Sequence, residues 1–301
     1  MDFVFLSGQL FTGLSVASLL LLTALGLALS FGLMRVINTA HGEFLMIGGY
    51  LTYLAAQVMG PGFLWLAFPL AFIGTALLGA LLEFTVIRRL YGRPLDTLLA
   101  TWGISLILQQ AARQIFGSTG VPVTAPAWLN GAVSVQGGVL DGLTFPYVRL
   151  FVIVLAALVL GGVWWLLNRS PFGMHVRAVN QNREVAASLG VNTRRLDMLV
   201  FALGAGIAGI AGVGLALLSP VNPTVGAAYI VNAFLVVVVG GVGSVLGAGA
   251  AALLLGFTTA LAEGLTSSSL AQSIMLILVV IFLQWKPKGL FPTQSRALEE
   301  G

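Results

Sequence analysis

Residues on which enzyme sites often depend are scarce in this sequence of 301 residues, which has no cysteine and only two histidines. The missing cysteine excludes disulfides, thiolate nucleophiles and cysteine-ligated metals. His41-Gly-Glu43 lacks the HExxH spacing of a zinc-binding helix. Both lysines, Lys286 and Lys288, are followed by proline or glycine, so a GxxxxGK[ST] phosphate loop is also missing. We therefore expect no catalytic residues, no metal and no cofactor on this chain, and no ATP hydrolysis by it.

Charged residues are few, at 8% of the chain, whereas 58% are hydrophobic and the mean hydropathy is +1.01. A soluble domain carries about 25% charged residues, so most of this surface cannot face water. Leu10–Met34 has no ionisable residue over 25 positions, which is enough to cross a hydrocarbon core of about 30 Å. No lysine or arginine precedes this run, so we interpret it as a retained span and not a signal peptide.

Eight long apolar segments follow one another along the chain. They cover Leu10–Met34, Val36–Met59, Gly62–Ile87, Thr97–Phe116, Leu150–Leu167, Met198–Leu218, Ala228–Gly264 and Leu270–Trp285. The seventh segment would be about 55 Å long as one helix, too long for one crossing. Gly240–Ser244 near its middle is glycine-rich and favours a break. The sequence thus predicts an all-α fold, a polytopic transmembrane bundle of about eight or nine membrane helices in a single domain, 1–301.

The basic residues predict how this bundle is oriented. They concentrate at Arg35, at Arg88, Arg89 and Arg93, between Arg169 and Arg195, and at Lys286, Lys288 and Arg296. Basic loops stay in the cytoplasm, which places the N-terminus outside and the C-terminus inside. Residues 117–147 then form an external loop, 168–197 a cytoplasmic loop and 286–301 a cytoplasmic tail. The net charge of +4 follows from these loops and does not indicate binding to nucleic acid.

The cytoplasmic loop contains a short predicted helix at 180–189. Its helical spacing puts Val185, Ala186 and Leu189 on one face, with Arg183 and Glu184 off it. Gly190 is placed to end the helix. Such a helix suits docking into a groove on a soluble partner, or it lies on the membrane surface. The residues alone leave both interpretations open.

Several motifs resemble one family of transporters. Glu184-Val-Ala-Ala-Ser-Leu-Gly190 is similar to the cytoplasmic Glu-Ala-Ala…Gly loop of ATP-binding-cassette (ABC) importer permeases, with Val185 in place of the usual alanine. Five further segments resemble the branched-chain amino acid permease family. They are Arg35-Val-Ile-Asn-Thr-Ala-His-Gly-Glu-Phe44, Val176-Arg-Ala-Val-Asn-Gln-Asn182, Phe201-Ala-Leu-Gly204, Ala208-Gly-Ile-Ala-Gly212 and Gly240-Gly-Val-Gly-Ser-Val-Leu-Gly247. The resemblance covers almost the whole chain in order.

The resemblance implies partners and a mode of action. Such permeases work with a second related permease subunit, two cytoplasmic ATP-binding-cassette ATPase subunits and an external solute-binding protein, in the bacterial plasma (inner) membrane. ATP hydrolysed by the ATPases would drive alternating access. By the family's pattern, the ATPase-coupling residues are Arg177, Arg183, Glu184, Ala186, Ala187 and Gly190.

The family resemblance leaves the transported solute open. Within the family, Thr101–Gln110 and Lys286–Pro292 are most similar to the urea-importer branch, which implies urea and short amides as substrates. The alternative is a branched-chain amino acid importer. A stand-alone channel or secondary carrier is a further alternative, in which the basic loop would have no evident role. An intramembrane enzyme lacks a nucleophile–base pair or a metal-ligand set.

Polar residues at membrane depth are costly, so they usually face a cavity or a partner. Six of them are predicted to line the substrate pathway: Asn38, His41, Glu43, Gln109, Asn222 and Asn232. For the first three, capping of the second span is the competing interpretation. Glu83 and Glu263 lie near predicted helix ends, where snorkelling or an ion pair is expected.

Overall fold

The computed structural model describes residues 3–34, 36–135, 137 and 142–291. About 80% of the chain is helical. The elements are α1 (Phe3–Met34), α2 (His41–Met59), α3 (Leu64–Thr85), α4 (Pro94–Phe116), β1 (Ala132–Ser134), β2 (Thr144–Pro146), α5 (Tyr147–Arg169), α6 (Pro171–Gln181), α7 (Arg183–Ser188), α8 (Thr193–Leu218), α9 (Val225–Gly240), α10 (Val245–Leu265) and α11 (Ser268–Trp285). Arg35 and residues 292–301 of the predicted tail, with Arg296, lie outside the described residues.

The bundle is built around α8, which packs against α1, α2 and α3. Glycines make this close packing possible because they have no side chain between the helix backbones. Such packing matters in a membrane, where lipid supplies no hydrophobic drive between helices. A Cβ at Gly48 in α2 would lie 2.2 Å from the carbonyl oxygen of Gly209 in α8. A Cβ at Gly26 in α1 would lie equally close to the carbonyl oxygen of Gly204 in α8. The helix backbones therefore touch directly along α8.

Six described helices are long and apolar enough to cross a membrane by length and composition: α1, α3, α5, α8, α10 and α11. The predicted second and fourth segments and the first part of the seventh form helices as well, but these helices do not meet the same measure. α2 and α4 carry several polar side chains and α9 has only 16 residues. The protein is thus a polytopic helical membrane protein in its described part.

The predicted break in the seventh apolar segment is present. α9 ends at Gly240 and α10 begins at Val245, where the Ser244 hydroxyl accepts a hydrogen bond from the backbone N–H of Gly247. The turn between them needs a positive φ of 100° at Gly241, which glycine adopts readily. Backbone hydrogen bonds from Leu290 and Phe291 reach the last residues of α9, at 2.8 and 3.0 Å. The turn therefore lies at the end of the bundle where α11 ends.

The opposite end carries the segment between α4 and α5. β1 and β2 form a small antiparallel hairpin with Val133 opposite Phe145. This hairpin is an addition to the predicted all-α fold. Backbone hydrogen bonds of 2.9 and 3.0 Å pair Val121 with Val221, which ties this segment to the connection between α8 and α9.

Candidate functional site

The short helix in the predicted coupling loop is α7. The Asn182 side chain accepts a hydrogen bond from the backbone N–H of Val185 at 3.0 Å, which caps its first turn. Gly190, with a φ of 90°, follows the helix and is the residue that ends it, as predicted. The sequence thus places a helix here with its boundaries close to those expected.

The exposed face of α7 differs from the prediction. Ala186 is buried against the bundle, whereas Val185 and Leu189 are 53% and 80% exposed. The predicted single face of these three residues is therefore wrong. Val185 and Ala186 are neighbours and point about 100° apart on the helix, whereas the Leu189 N–H still donates to the Val185 carbonyl at 3.1 Å, so Leu189 lies one turn from Val185 on the exposed side. Ala187 and Glu184 are exposed too.

An ion pair fixes α7 to the bundle. Both Nη atoms of Arg183, the first residue of α7, donate to the carboxylate of Asp197 in the first turns of α8. The Asp197 side chain is fully buried and the Arg183 side chain is 44% exposed. Nothing in the sequence pattern pairs these two residues, because they lie on different helices separated by a turn.

The same arginine reaches a second polar group at the end of α3. Its Cζ lies 5.9 Å from the centroid of the Tyr91 ring, and the Tyr91 hydroxyl donates to Glu83 Oε1 at 2.9 Å. Arg88 is ion-paired with Glu83 at 3.2 Å, which confirms the expected pair. Burial raises the pKa of Tyr91, and the nearby carboxylates raise it further. Tyr91 therefore remains a proton donor at neutral pH, and the cluster joins α7, α8 and α3.

Arg177, also predicted for coupling, has a different environment. It lies exposed in α6, and its Nη1 donates to the backbone carbonyl of Leu167 near the end of α5. Its contact holds α6 against α5. The predicted coupling residues thus divide into Arg177, Arg183 and Ala186, which anchor the loop, and Glu184, Ala187 and Gly190, which are exposed.

A second polar cluster lies inside the bundle at Glu43. The Glu43 side chain is fully buried. Its Oε1 accepts hydrogen bonds from Ser105 Oγ at 2.7 Å and from Gln109 Nε2 at 2.9 Å, both in α4. Ser105 is near the middle of α4, so the carboxylate lies well inside the bundle. Glu43 and Gln109, which were each predicted to line the substrate pathway, are therefore in direct contact, and Ser105 is the member that sequence reasoning missed.

Two helix N-termini lie beside this carboxylate. Glu43 is in the first turn of α2, and a Cβ at Gly226, the second residue of α9, would lie 2.7 Å from Glu43 Oε2. Helix N-termini carry partial positive charge. No cationic side chain pairs with Glu43 in the part of the chain that the structure describes, and Oε2 has no hydrogen-bond partner there.

The buried face of α4 is polar, and its outer face is apolar. The buried residues repeat about every fourth position: Thr97, Thr101, Ser105, Gln109 and Ala112. Thr101 Oγ1 lies 2.9 Å from Thr39 Oγ1, one turn of α4 from the Glu43 contacts. On the outer face, Leu99 and Ile107 are 61% and 68% exposed. α4 thus meets α2 along a seam of hydrogen bonds.

Asn38 and His41 lie close to this cluster in the chain, but their contacts are structural. Asn38 is buried, and its Oδ1 accepts from the backbone N–H of Ala40 at 3.0 Å, just before α2. His41 Nε2 lies 3.2 Å from the carbonyl oxygen of Thr23 in α1. Asn38 thus shapes the turn before α2 and His41 joins α2 to α1, but no side chain caps α2 at Ala40, and Asn38 Nδ2 has no partner among the described residues.

Asn222 and Asn232 do not join the Glu43 cluster. Asn222 Oδ1 accepts from the backbone N–H and the hydroxyl of Thr224, both at 3.0 Å, and so forms the turn before α9. Asn232, in α9, lines a separate cavity of about 510 Å³. The six predicted pathway residues therefore fall in three places and not in one site.

Comparisons with known proteins agree with this architecture. Residues 9–283 match the family described as "branched-chain amino acid transport system / permease component". The chain is 29% identical to the high-affinity branched-chain amino acid transport system permease protein BraD of Pseudomonas aeruginosa, over 94% of each chain. It is 28% identical to LivH of Escherichia coli K12 over 96% of each chain, and 29% identical to the LivM permease of that organism over 90% of this chain and 67% of LivM. No solved structure matches the chain significantly.

The relatives named above are branched-chain amino acid permeases, and none of these findings supports the urea branch. With its apolar helices, the protein is a multi-pass protein of the inner membrane. Because the family match extends over nearly the entire length, from the first half of α1 to the end of α11, the chain belongs to the branched-chain amino acid transport permease family.

Proposed function

We propose that this chain is a permease subunit of an ATP-driven importer of branched-chain amino acids that depends on a solute-binding protein. The observation that carries the proposal is α7, a short capped helix whose apolar side chains Val185 and Leu189 are exposed while Arg183 binds it to the core. Exposed apolar residues on a rigidly held helix suit a groove on a partner. The family match and the named relatives support the solute.

The proposed partners follow from the chain's own chemistry and from its relatives. The sequence has no phosphate loop, so ATP is hydrolysed by cytoplasmic ATPase subunits that bind the exposed residues of α7. The relatives include both LivH and LivM, two permeases of one transport system. A second related permease is therefore proposed beside this chain, with a solute-binding protein on the outer side.

The proposed topology has nine crossings, by α1 to α5 and α8 to α11. An odd number places the two termini on opposite sides, and the basic loops favour the N-terminus outside and the C-terminus in the cytoplasm. Two contacts support the alternation. Gly32, near the end of α1, packs on Gly243 in the turn between α9 and α10, and Arg149 at the start of α5 lies 3.5 Å from Thr12 in α1. In each of these contacts, the proposed alternation places the two contacting segments on the same side of the membrane.

The proposed mechanism is alternating access. Closure of the ATPases would push on α7, and Arg183 would pass the movement to α8 through Asp197 and to α3 through Tyr91. The hydrogen-bonded seam between α2 and α4, with Glu43 and Gln109, is proposed as the part of the bundle that opens for the solute. Asn38, His41 and Asn222 would support its backbone.

The function is tested by deleting the gene and measuring uptake of radiolabelled leucine and urea by the cells. We expect leucine uptake to fall and urea uptake to stay, with leucine uptake restored by the intact gene on a plasmid. Loss of urea uptake alone would assign the chain to the urea importers, and unchanged uptake of both solutes would contradict the proposed function.

Coupling is tested with Gly190→Val. The φ of 90° at Gly190 disfavours any residue with a Cβ, so the end of α7 should shift. We expect the variant to insert into the membrane normally but to lose leucine uptake in the assembled transporter. Gly117→Val is the matched control, because Gly117 has a φ of 88° and open space at the other end of the bundle. Equal loss in both variants would contradict a specific role for α7.

A further inference from the structure

The cavity beside Asn232 lies at the end of the bundle opposite α7. Its wall includes Leu218 and Ser219, where α8 ends, and Ser268 and Ser269, where α11 begins. α7 directly precedes the start of α8, so the length of α8 separates it from the cavity. A cavity of about 510 Å³ is in the range of about 300–1,000 Å³ of small-molecule sites.

Two opposite charges face this cavity, Arg149 from the first turn of α5 and Glu263 from the end of α10. Arg149 lies near Thr12 in α1, and Gly264, the neighbour of Glu263, packs against Gln9 one turn away. The two charges are thus at a similar height in the bundle. Neither is ion-paired within the described residues, so the expected pairing of Glu263 is not found there.

The remaining wall is partly aliphatic and partly polar. Its aliphatic residues are Val16, Leu19, Leu20, Leu215, Leu218 and Met275, and its polar residues include Ser15, Tyr229 and Gln272. Asn232 and Thr259 also lie on the wall, and each has a buried side-chain oxygen without a hydrogen-bond partner in the described part of the chain. A buried polar atom without a partner costs free energy, which a hydrogen-bonding ligand would recover after a small side-chain rotation.

From this combination we infer that the cavity binds a free α-amino acid with an aliphatic side chain. Arg149 would hold its carboxylate, Glu263 its ammonium group, and the leucine-rich wall its side chain. A neutral amide such as urea would use neither charge and would leave the aliphatic wall uncovered. This inference rests on the proposed function and adds to it a binding site in the permease itself, at the end of the bundle where a solute-binding protein would deliver its solute.

The test uses the purified full-length chain in nanodiscs of phosphatidylcholine and measures equilibrium binding of three compounds. These are leucine, 3-methylbutylamine, which lacks the carboxylate, and 4-methylpentanoate, which lacks the ammonium group. Arg149→Gln should weaken leucine binding by about tenfold or more, as expected for the loss of a charge-assisted hydrogen bond, and leave the amine unaffected. Glu263→Gln should weaken leucine binding similarly and leave 4-methylpentanoate unaffected. Arg149→Lys should retain part of the leucine affinity.

Arg113→Gln is the matched control for charge, since Arg113 is exposed in the last turn of α4 and does not line the cavity. Equal weakening of all three compounds by Arg149→Gln would mean a structural role and would overturn the inference. So would wild-type protein that fails to bind leucine. If nanodiscs with phosphatidylethanolamine abolish leucine binding, the occupant is a lipid headgroup with the same two charges. If leucine uptake by cells depends on the gene but the purified chain does not bind leucine in nanodiscs, this binding site is rejected and the proposed function stands.

Discussion

Arg183, the first residue of α7, is ion-paired with the buried carboxylate of Asp197 in α8 and lies 5.9 Å from the ring of Tyr91. One side chain therefore connects the exposed helix of the cytoplasmic loop to two long helices of the bundle. A force on α7 reaches α8 through a direct contact. Ala186, three positions after Arg183 and on the same face of α7, is buried as well.

Breaking this pair should destabilise the protein. Arg183→Gln leaves the buried carboxylate of Asp197 unpaired, at an expected cost of about 1–3 kcal/mol. The double variant with Asp197→Asn should cost less than the sum of the two single changes, because no buried charge is then left. The comparison is made by thermal unfolding of the purified protein in detergent.

The control for this cycle is the Arg93–Asp96 pair, whose side chains are 71% and 54% exposed and 3.8 Å apart. An exposed pair contributes about 0–1 kcal/mol. Arg93→Gln with Asp96→Asn should therefore show almost no coupling energy. Additive effects in the Arg183–Asp197 cycle would contradict the role given to this pair.

The charge and the shape of Glu43 can be separated by two substitutions. Glu43→Ala removes the acceptor for Ser105 and Gln109 and should lower stability by about 1–3 kcal/mol. Glu43→Gln keeps an oxygen that accepts both hydrogen bonds, so its unfolding should stay near that of the wild type while leucine uptake falls. Thermal unfolding and uptake are measured on the same variants.

Thr85→Val is the control for that series. The Thr85 hydroxyl is exposed and donates to the Leu81 carbonyl of its own helix, so this hydrogen bond does not join two helices. The substitution should change neither stability nor uptake. Full leucine uptake by Glu43→Gln would remove the charge of Glu43 from the proposed pathway.

Backbone contact along α8 should make glycines there sensitive to a single methyl group. Gly48→Ala would force a Cβ to 2.2 Å from the Gly209 carbonyl oxygen, and such overpacking costs about 1–3 kcal/mol. Gly103→Ala in α4 meets nothing within 4 Å and should stabilise its helix by about 0.5–1 kcal/mol. Thermal unfolding of the two variants should move in opposite directions, and destabilisation by both would contradict the packing argument.

The lack of cysteine allows the proposed orientation to be tested by single introduced thiols. Ser188→Cys at the end of α7 should react with an impermeant maleimide only after the membrane is opened. Trp128→Cys, at a side chain that is 62% exposed in the segment before α5, should react in intact cells. Ala67→Cys, fully buried in α3, should stay unlabelled in both. The reverse pattern for the first two would invert the orientation.

Several elements were predictable because their signals are local. The break at Gly240–Ser244 follows from the length of the apolar segment and its glycines, and the end of α7 follows from Gly190. Helix caps and turns depend on residues a few positions apart, so they can be read along the chain. Small residues four positions apart in α8, such as Ala205 and Gly209, indicate close packing but do not indicate the partner helix.

The site residues were harder to predict because their partners are distant. Glu43 and Ser105 are 62 positions apart, and Arg149 and Glu263 share a cavity only because α5 and α10 both border α1. Asn222 and Asn232 look alike in the sequence, but one forms a turn and the other lines the cavity. Helix periodicity fixes which residues share a face of one helix, and it carries no information about which faces meet.

The sequence by itself determined that this is a helical membrane protein without cysteine or phosphate-loop chemistry, since composition and apolar run length decide which solvent a chain can face. It also carried the family, through motifs spread along the whole chain. Only the tertiary structure decided that Arg183 binds Asp197, that α4 turns its polar face to Glu43, and that two opposite charges border one cavity. These contacts join different helices, and their geometry is set by which helix backbones can approach at glycine.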